Sequence, residues 1–377
     1  LQATFGLETG MGAADTGAVM DIADVRTAIA WQAEHAAKSA APNTARVIRG
    51  LLAILDTDTA LARRMNGWDG LSLRDAMPLR VAAGLHHLVL TGGDRQLQPV
   101  YEGLVTDQAA VDAIVAVLAV RFDALLLPWL DHPPQTNEAG RSAGIMAGLM
   151  WLAGRLGPKF ELIEIGASAG INTMMDRYAY DLGGRQAGPG DSPVRMAPEW
   201  RGPSPPANSV EIVAIRGCDL RPVGLADPAQ ALRLKAYIWP DARERLARMD
   251  AAIALAAGQP PDLVRADAAE FVRERLAAPQ SEGVTRALFH TVVWQYLADA
   301  TQSAITGMME QAGSRATRER PIAWLSLETN RATFQHELHV RWWNGEGAQQ
   351  GEPILLARAH PHGAWIEWLG EADAMAD

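Results

Sequence analysis

Strand-like runs are missing from residues 1–156 and recur at intervals after them, and this asymmetry limits what the chain can fold into more than any other feature. Before Gly157, apolar residues return every three or four positions in Ala- and Leu-rich segments at 21–40, 43–65, 71–93, 107–127 and 137–157. That spacing is the signature of amphipathic helices. Asp21, Asn43 and Ser72 stand where N-caps are expected, Pro128 where a helix should stop, and Gly157-Pro158 where the last helix should give way to a strand. The expectation is an all-helical cap domain over residues 20–156, with 1–19 a disordered lead or a cloning remnant.

Strand-like runs follow at 161–165 (ELIEI), 210–217, 262–267, 285–294, 321–328, 337–343 and 353–359. Helical stretches such as DARERLARMDAAIALAA, AAEFVRERLAA and AITGMMEQAG lie between most of the first five, which calls for parallel strands joined by crossover helices. Only the short polar NGEGAQQGE separates the last two, so they should pair as an antiparallel hairpin. The fold class expected for 157–377 is therefore α/β, a Rossmann-like seven-stranded sheet of five parallel strands closed by a C-terminal hairpin. A Gly- and Pro-rich insertion at 178–206 reads as a lid or a partner surface.

A net charge of −10 and a pI near 5.4 argue against a protein that coats nucleic acid, which needs a basic surface. The cations Arg233, Lys235, Arg243, Arg245 and Arg248 read as the solvated face of a helix. A single cysteine, Cys218, rules out an intrachain disulfide, and a reducing, cytoplasmic setting is expected. The most apolar internal run, AIVAVLAV, is far shorter than the ~20 residues a bilayer span takes, so no membrane association is expected. A homodimer is compatible with the sequence, and a small-molecule partner is favoured over nucleic acid.

In ELIEIGASAGIN, a strand runs into a small-residue turn and then into MMDRYA, which can start a helix. Two chemistries compete for this junction. As E-x-G-x-x-x-G, the turn lets backbone approach a nucleotide-like cofactor while Glu164 accepts hydrogen bonds from it. As G-x-S-x-G, it is a nucleophile elbow presenting Ser168. Ligands of open parallel sheets bind beyond the carboxyl ends of the strands. There the sequence offers Asp219 for a ribose and Asp267-Ala268 for an adenine, with His290 on the fourth strand and Glu328 at the end of the fifth.

This order of elements and residues, with the E-x-G-x-x-x-G turn and VRADAAEFV, resembles the class I methyltransferases that use S-adenosylmethionine. The chain as a whole, with GASAGIN, GCDLRPV, AYIWPDARERLARMDAAIA, FHTVVWQYL and ARAHPHGAWIEWL, also resembles a bacterial family of unassigned function with that fold. What the methyltransferase resemblance implies is a cofactor held by Glu164, Gly166, Gly170, Asp219 and Asp267, with Ser168, Asn172 and Ala268 in the same cradle. The common turn is richer in glycine; Ala167, Ser168 and Ala169 stand at its flexible positions here.

For the elbow, the chain order Ser168, then Asp267 or Glu328, then His360 or His362 is that of an α/β-hydrolase, but strands should precede an elbow and none do. The cofactor turn is therefore preferred, with the hydrolase and a non-catalytic binding protein as alternatives. Asn137 and Glu138 are either a helix cap or part of a loop that folds, with Arg141, over the methionine end of the cofactor. His290 is the first choice for acceptor contact or general base, with Glu328 and His360 behind it. His336, His339, His360 and His362 of the hairpin are substrate contacts or hydrogen-bonded strand-end residues. The histidines His86 and His87, and the tryptophans Trp342, Trp343, Trp365 and Trp368, read as packing.

Overall fold

The computed structural model describes residues 24–71, 75–346 and 351–370, arranged as two compact units. The expected caps Asp21 and Ser72 and the expected lead at 1–19 lie outside the described residues. The first unit ends at Pro134 and also takes in Trp239–Asp241. Its described helices are α1 (Val25–Lys38), α2 (Pro42–Ile54), α3 (Ala60–Asn66), α4 (Met77–Leu90), α5 (Gln98–Tyr101), α6 (Gln108–Arg121) and α7 (Asp123–Leu126). Asp24, Thr59 and Asp107 cap α1, α3 and α6 by accepting backbone N–H groups with their side chains. Asn43 is not a cap. Pro42 already starts α2, and the Asp241 carboxylate accepts the amides of Asn43 and Thr44 at 3.3 and 2.8 Å. The expected single helix before Pro128 is broken in two: α6 ends at Arg121, α7 ends at Leu126, and Pro128 falls in the first turn of a 3-10 segment, Leu127–Asp131, where its missing N–H costs nothing. Ile29, Ile48, Leu51, Leu85 and Val115 are fully buried in this unit's core.

The second unit begins at Gln135, so the expected boundary at 156/157 moves upstream. The reason is α8 (Ser142–Leu156), of whose residues all but Ala153, Gly154 and Arg155 are buried. It packs in the core of the α/β unit, where Gly148 lets Leu325 come within what would be 2.9 Å of a Cβ. The strands are β1 (Lys159–Ile165), β2 (Ala179–Leu182), β3 (Arg185–Ala187), β4 (Arg195–Met196), β5 (Glu199–Arg201), β6 (Glu211–Asp219), β7 (Leu263–Arg265), β8 (Thr285–Thr291), β9 (Ile322–Thr329), β10 (His336–Trp343), β11 (Ile354–Ala359) and β12 (Trp365–Trp368). Helices α9 (Pro228–Ala236) and α10 (Arg243–Gly258) connect β6 to β7, α11 (Ala268–Ala277) connects β7 to β8, and α12 (Asp299–Gly313) connects β8 to β9.

The main sheet runs β5-β12-β11-β10-β9-β8-β1-β6-β7. Its parallel part is the expected five strands, β7-β6-β1-β8-β9, and β10 and β11 form the expected antiparallel hairpin. The sheet has nine strands rather than seven. After the turn at His360–Gly363 the chain doubles back as β12, and β5, from the insertion, pairs parallel with it. Part of the insertion thus extends the sheet, while β2, β3 and β4 form a small sheet of their own. A second difference touches the site directly. No α-helix follows the glycine turn; a 3-10 segment, Asn172–Arg177, leads straight into β2.

The pleat sorts side chains onto two faces. Phe160 and Leu162 of β1, Ala287 and Phe289 of β8, and Leu325 and Leu327 of β9 join α8 and α10 in one core. Ile163, Ile165, Leu288, Ile322 and Trp324 join α11 and α12 in the other. By this alternation Glu164 lies on the α8 face, and His290 and Glu328 lie on the α12 face.

Candidate functional site

The turn after β1 is built from three residues at positive φ: Gly166 (+64°), Ser168 (+55°) and Gly170 (+72°). A Cβ on Gly166 would come 2.2 Å from Val293 Cγ2, and one on Gly170 would come 2.8 Å from Pro261, so both glycines are required by close packing as well as by φ. Four of the turn's amides are spent within the protein. Ala167 N–H donates to Cys218 O, Ser168 N–H to Asp219 Oδ2, Gly170 N–H to Ala167 O and Ile171 N–H to Asn137 Oδ1, all between 2.8 and 2.9 Å. Internal bonds thus take up these four donors, and the side chains around the turn carry the remaining polar capacity.

Some of those side chains are left over. Ser168 Oγ is buried with no hydrogen-bond partner among the described residues, as are Glu328 Oε2 and His362 Nδ1, while the buried Asn172 amide bonds Glu164. Buried polar atoms are nearly always paired, with protein, water or ligand, so such atoms at the carboxyl end of a parallel sheet leave bonding capacity where ligands of this sheet type sit. Glu164, at the tip of β1, is buried and accepts Thr173 Oγ1 at 2.5 Å. Burial pushes its carboxyl up to about 8, the Thr173 hydrogen bond opposing that only in part. It is thus largely protonated at neutral pH and can donate as well as accept.

Asp219, at the end of β6, holds the turn through Ser168 N–H and its own loop through Arg221 N–H at 2.8 Å. Asp267, after β7, caps α11 by accepting Ala269 N–H at 2.9 Å, with Ala268 the first helical residue. A carboxylate has about four acceptor positions, so both acids keep capacity for a ligand. Glu164, Asp219 and Asp267 end three adjacent parallel strands in the order β1, β6, β7.

His290 lies on the far face from Glu164, whose partner across β8 is Phe289. Its Nδ1 is 2.7 Å from Glu328 Oε1 and its Nε2 is 3.0 Å from the Trp324 indole nitrogen, which can only donate. Nε2 therefore accepts and Nδ1 carries the proton toward Glu328, while Trp294 stacks on the ring at 5.0 Å. Both ring nitrogens are committed, and the expected general base is buried as a neutral link in a Trp–His–Glu chain. Glu328 Oε1 also accepts the amides of Val293 and Trp294 at 3.0 and 3.2 Å. These bonds hold Val292 at φ +53°, a strained conformation for a β-branched residue, and so keep Val293 over Gly166.

A second cluster closes the α8 side. Glu138 accepts Gly140 N–H at 3.1 Å, and its carboxylate pairs with Arg245 at 2.6 Å and Arg248 at 3.5 Å. Arg245 and Arg248 thus belong to a mostly buried ion pair on one stripe of α10 rather than to a solvated face. The loop 139–141 meets the turn 360–363 backbone to backbone: a Cβ on Gly140 would lie 2.6 Å from His362 O, and Arg141 Nε donates to Pro361 O at 2.9 Å. His360 Nδ1 accepts His362 N–H at 3.1 Å. Burial and nearby arginines hold His336 down to about 4 and His362 well below the usual imidazole range, so both are neutral at pH 7. No group of three or more His, Cys, Asp or Glu among the described residues converges as a metal site.

Sequence reasoning missed Thr173 and Trp324 and misassigned Arg245 and Arg248. The i, i+3 spacing of the two arginines, with Met249 and Ala252 on the same inward stripe, was the available signal. No comparable signal marked Thr173 or Trp324. Among the described residues, no helix is long and apolar enough to cross a membrane.

Residues 26–368 match the family described as "Uncharacterized protein conserved in bacteria (DUF2332)", and the chain belongs to that family. No curated protein and no solved structure is matched by the chain.

Proposed function

Starting from a family whose description assigns no activity, we propose that the chain is an S-adenosylmethionine-dependent methyltransferase acting on a small-molecule acceptor, with a methyltransferase-like α/β unit. The observation that carries the reading is the row of Glu164, Asp219 and Asp267 on consecutive strand ends. It puts an acid at the end of each of three neighbouring strands, which lie about 4.8 Å apart in such a sheet, along the edge where an open sheet takes a nucleoside. The donor set fits such a cofactor, because Ser168 Oγ lacks a partner and burial pushes the Glu164 carboxyl up to about 8, so that it can donate as well as accept. The cradle is closed by Val293 and Pro261 over the glycines, so entry requires the segments after β8 and before β7 to shift. When bound, the cofactor supplies an electrophilic methyl group.

The chain's own contribution is then mainly alignment. Asp219 and Asp267 take the sugar and base, assisted by Ala268 at the start of α11. Glu164, Ser168 and Asn172 meet the centre of the cofactor, and Asn137 and Glu138 anchor the loop over its other end. Glu328 and His290 act as positioning residues that hold the Val292–Trp294 segment. His360, whose Nδ1 is occupied, has Nε2 left to touch an acceptor.

One observation favours the serine-hydrolase reading: Ser168 has the positive φ of an elbow nucleophile. Against it, Ser168 Oγ is buried and no histidine reaches it. Calorimetry with S-adenosylmethionine and its demethylated product separates the readings. The expected result is binding of both, weakened roughly tenfold or more in Asp219→Asn by loss of a charge-assisted acceptor. No heat from either ligand at millimolar concentration with folded protein would remove the methyltransferase reading, and fluorophosphonate labelling lost in Ser168→Ala would replace it with the hydrolase. Cofactor binding without turnover of any acceptor would point to a non-catalytic binding protein.

A further inference from the structure

Arg141 is the one guanidinium of the site whose charge is not used. Only 8% of the residue is exposed. Its Nε is taken by Pro361 O, and its two Nη atoms make no hydrogen bond or ion pair with the described residues. A buried arginine without a carboxylate is costly, since desolvation of the ion is offset only by pairing. Its neighbours Arg245 and Arg248 show the usual solution, both being paired with Glu138. The groups within electrostatic range of Arg141 are Glu138, Glu164, Glu328, Arg245, Tyr296, His336 and His362. With Glu138 spent on the two other arginines and Glu164 protonated, Glu328 is the remaining acid, and its Oε1 is occupied by His290 and two amides.

We propose that Arg141, with His336 and His362 beside it, forms a subsite for a carboxylate of the molecule bound at this end of the sheet. The Pro361 contact fixes Nε and leaves the two Nη atoms as an end-on fork, which matches the two oxygens of a carboxylate. His362 Nδ1, buried and unpartnered, lies in the turn that Pro361 O ties to Arg141 and within electrostatic range of its guanidinium. One uncompensated cation calls for a monoanion, which favours a carboxylate over a phosphate dianion. Gly140 and Gly363 make the arrangement possible. Their backbones touch, a Cβ on Gly363 falling 2.4 Å from Gly140 O, and this contact brings the Arg141 loop onto the histidine turn. The inference stands apart from the methyl-transfer reading, since any ligand of this site would meet the same fork.

The test follows the ring signals of His336 and His362 by NMR in the full chain, assigned with His336→Gln and His362→Gln, while acetate, acetamide or inorganic phosphate is added. Acetate should shift both signals and raise their titration midpoints, because a bound anion offsets the arginine charge that adds to burial in keeping them neutral; acetamide should not, and phosphate should act more weakly. Arg141→Met should weaken the acetate effect roughly tenfold to a hundredfold, and Arg141→Lys, which keeps the charge and loses the fork, by less. Equal responses to acetate and acetamide in the wild type, or an unchanged acetate response in folded Arg141→Met, would overturn the proposal. The wild-type comparison decides the matter even if Arg141→Met does not fold. Acetate displaced by S-adenosylhomocysteine but not by adenosine assigns the subsite to the cofactor's carboxylate, and acetate bound alongside S-adenosylhomocysteine assigns it to the acceptor's. An acetate response with no binding of S-adenosylhomocysteine keeps the subsite and removes the methyl-transfer reading.

Discussion

Glu164 concentrates the chemistry of the site in one carboxyl group. Its ordinary pKa is near 4.5, and burial raises it to about 8 in the folded chain. Between those values the native state holds a proton that the unfolded state has released, so this group's contribution is fully present below about 4.5 and is lost as pH rises through about 8. Glu164→Gln, which carries no charge at any pH, should therefore lose less stability than the wild type between pH 6 and 9. Parallel denaturant titrations across that range check it, and identical pH slopes for the two proteins would contradict it. The sequence marked this residue, because an acid two positions before a turn glycine has few structural uses. It could not mark the burial, which comes from Thr173 and from packing contributed by distant segments. His290 shows the opposite case. Its place on the strand was legible, but the register that pairs Glu164 with Phe289 turns the imidazole to the other face, and only the partner strands fix that register.

At the scale of elements, β1 is tied to its surroundings by a largely buried ion triad, with Arg286 fully buried and Glu161 and Arg275 partly so. Glu161 accepts Arg275 of α11 at 2.5 Å and Arg286 of β8 at 2.9 Å, and Arg286 also donates to the carbonyls of Ala278 and Pro279. Glu161 and Arg286 are direct register partners, so the triad locks the β1/β8 pairing on which the site's two edges depend. Glu161→Ala leaves two guanidiniums without their acid and should cost about 3–5 kcal/mol, measured by denaturant unfolding. A loss below about 1 kcal/mol, the range of an exposed pair, would mean the triad is not buried in solution. Four of the parallel strands and the hairpin were readable because they carry apolar runs bounded by turn residues, and the three-residue β7 because it lies between two helical stretches. β5 and β12 were not, being three and four residues long and stabilised by pairing with each other and with β11. The missing helix after the glycine turn has a similar cause: Asn172–Arg177 has helix-compatible residues, but Tyr178 and Tyr180 are drawn into the core, where their hydroxyls bond Ile171 O and Met175 O.

Across the whole molecule, the chain divides into a helical unit and an α/β unit, and the candidate site lies entirely within the second. The helical character of the N-terminal region was plain from its periodicity, but the unit boundary was not. α8 has the same Ala-, Gly- and Leu-rich pattern as the helices before it, and its membership is decided by which core buries it. The nucleoside-cofactor site proposed for the carboxyl edge of β7-β6-β1 is open to a direct test by hydrogen exchange with and without S-adenosylhomocysteine. Slower exchange confined to residues 164–173, 217–221 and 265–270, with the first unit unchanged, is the predicted result. Unchanged exchange in all three segments at saturating ligand, or protection confined to another part of the chain, would contradict it.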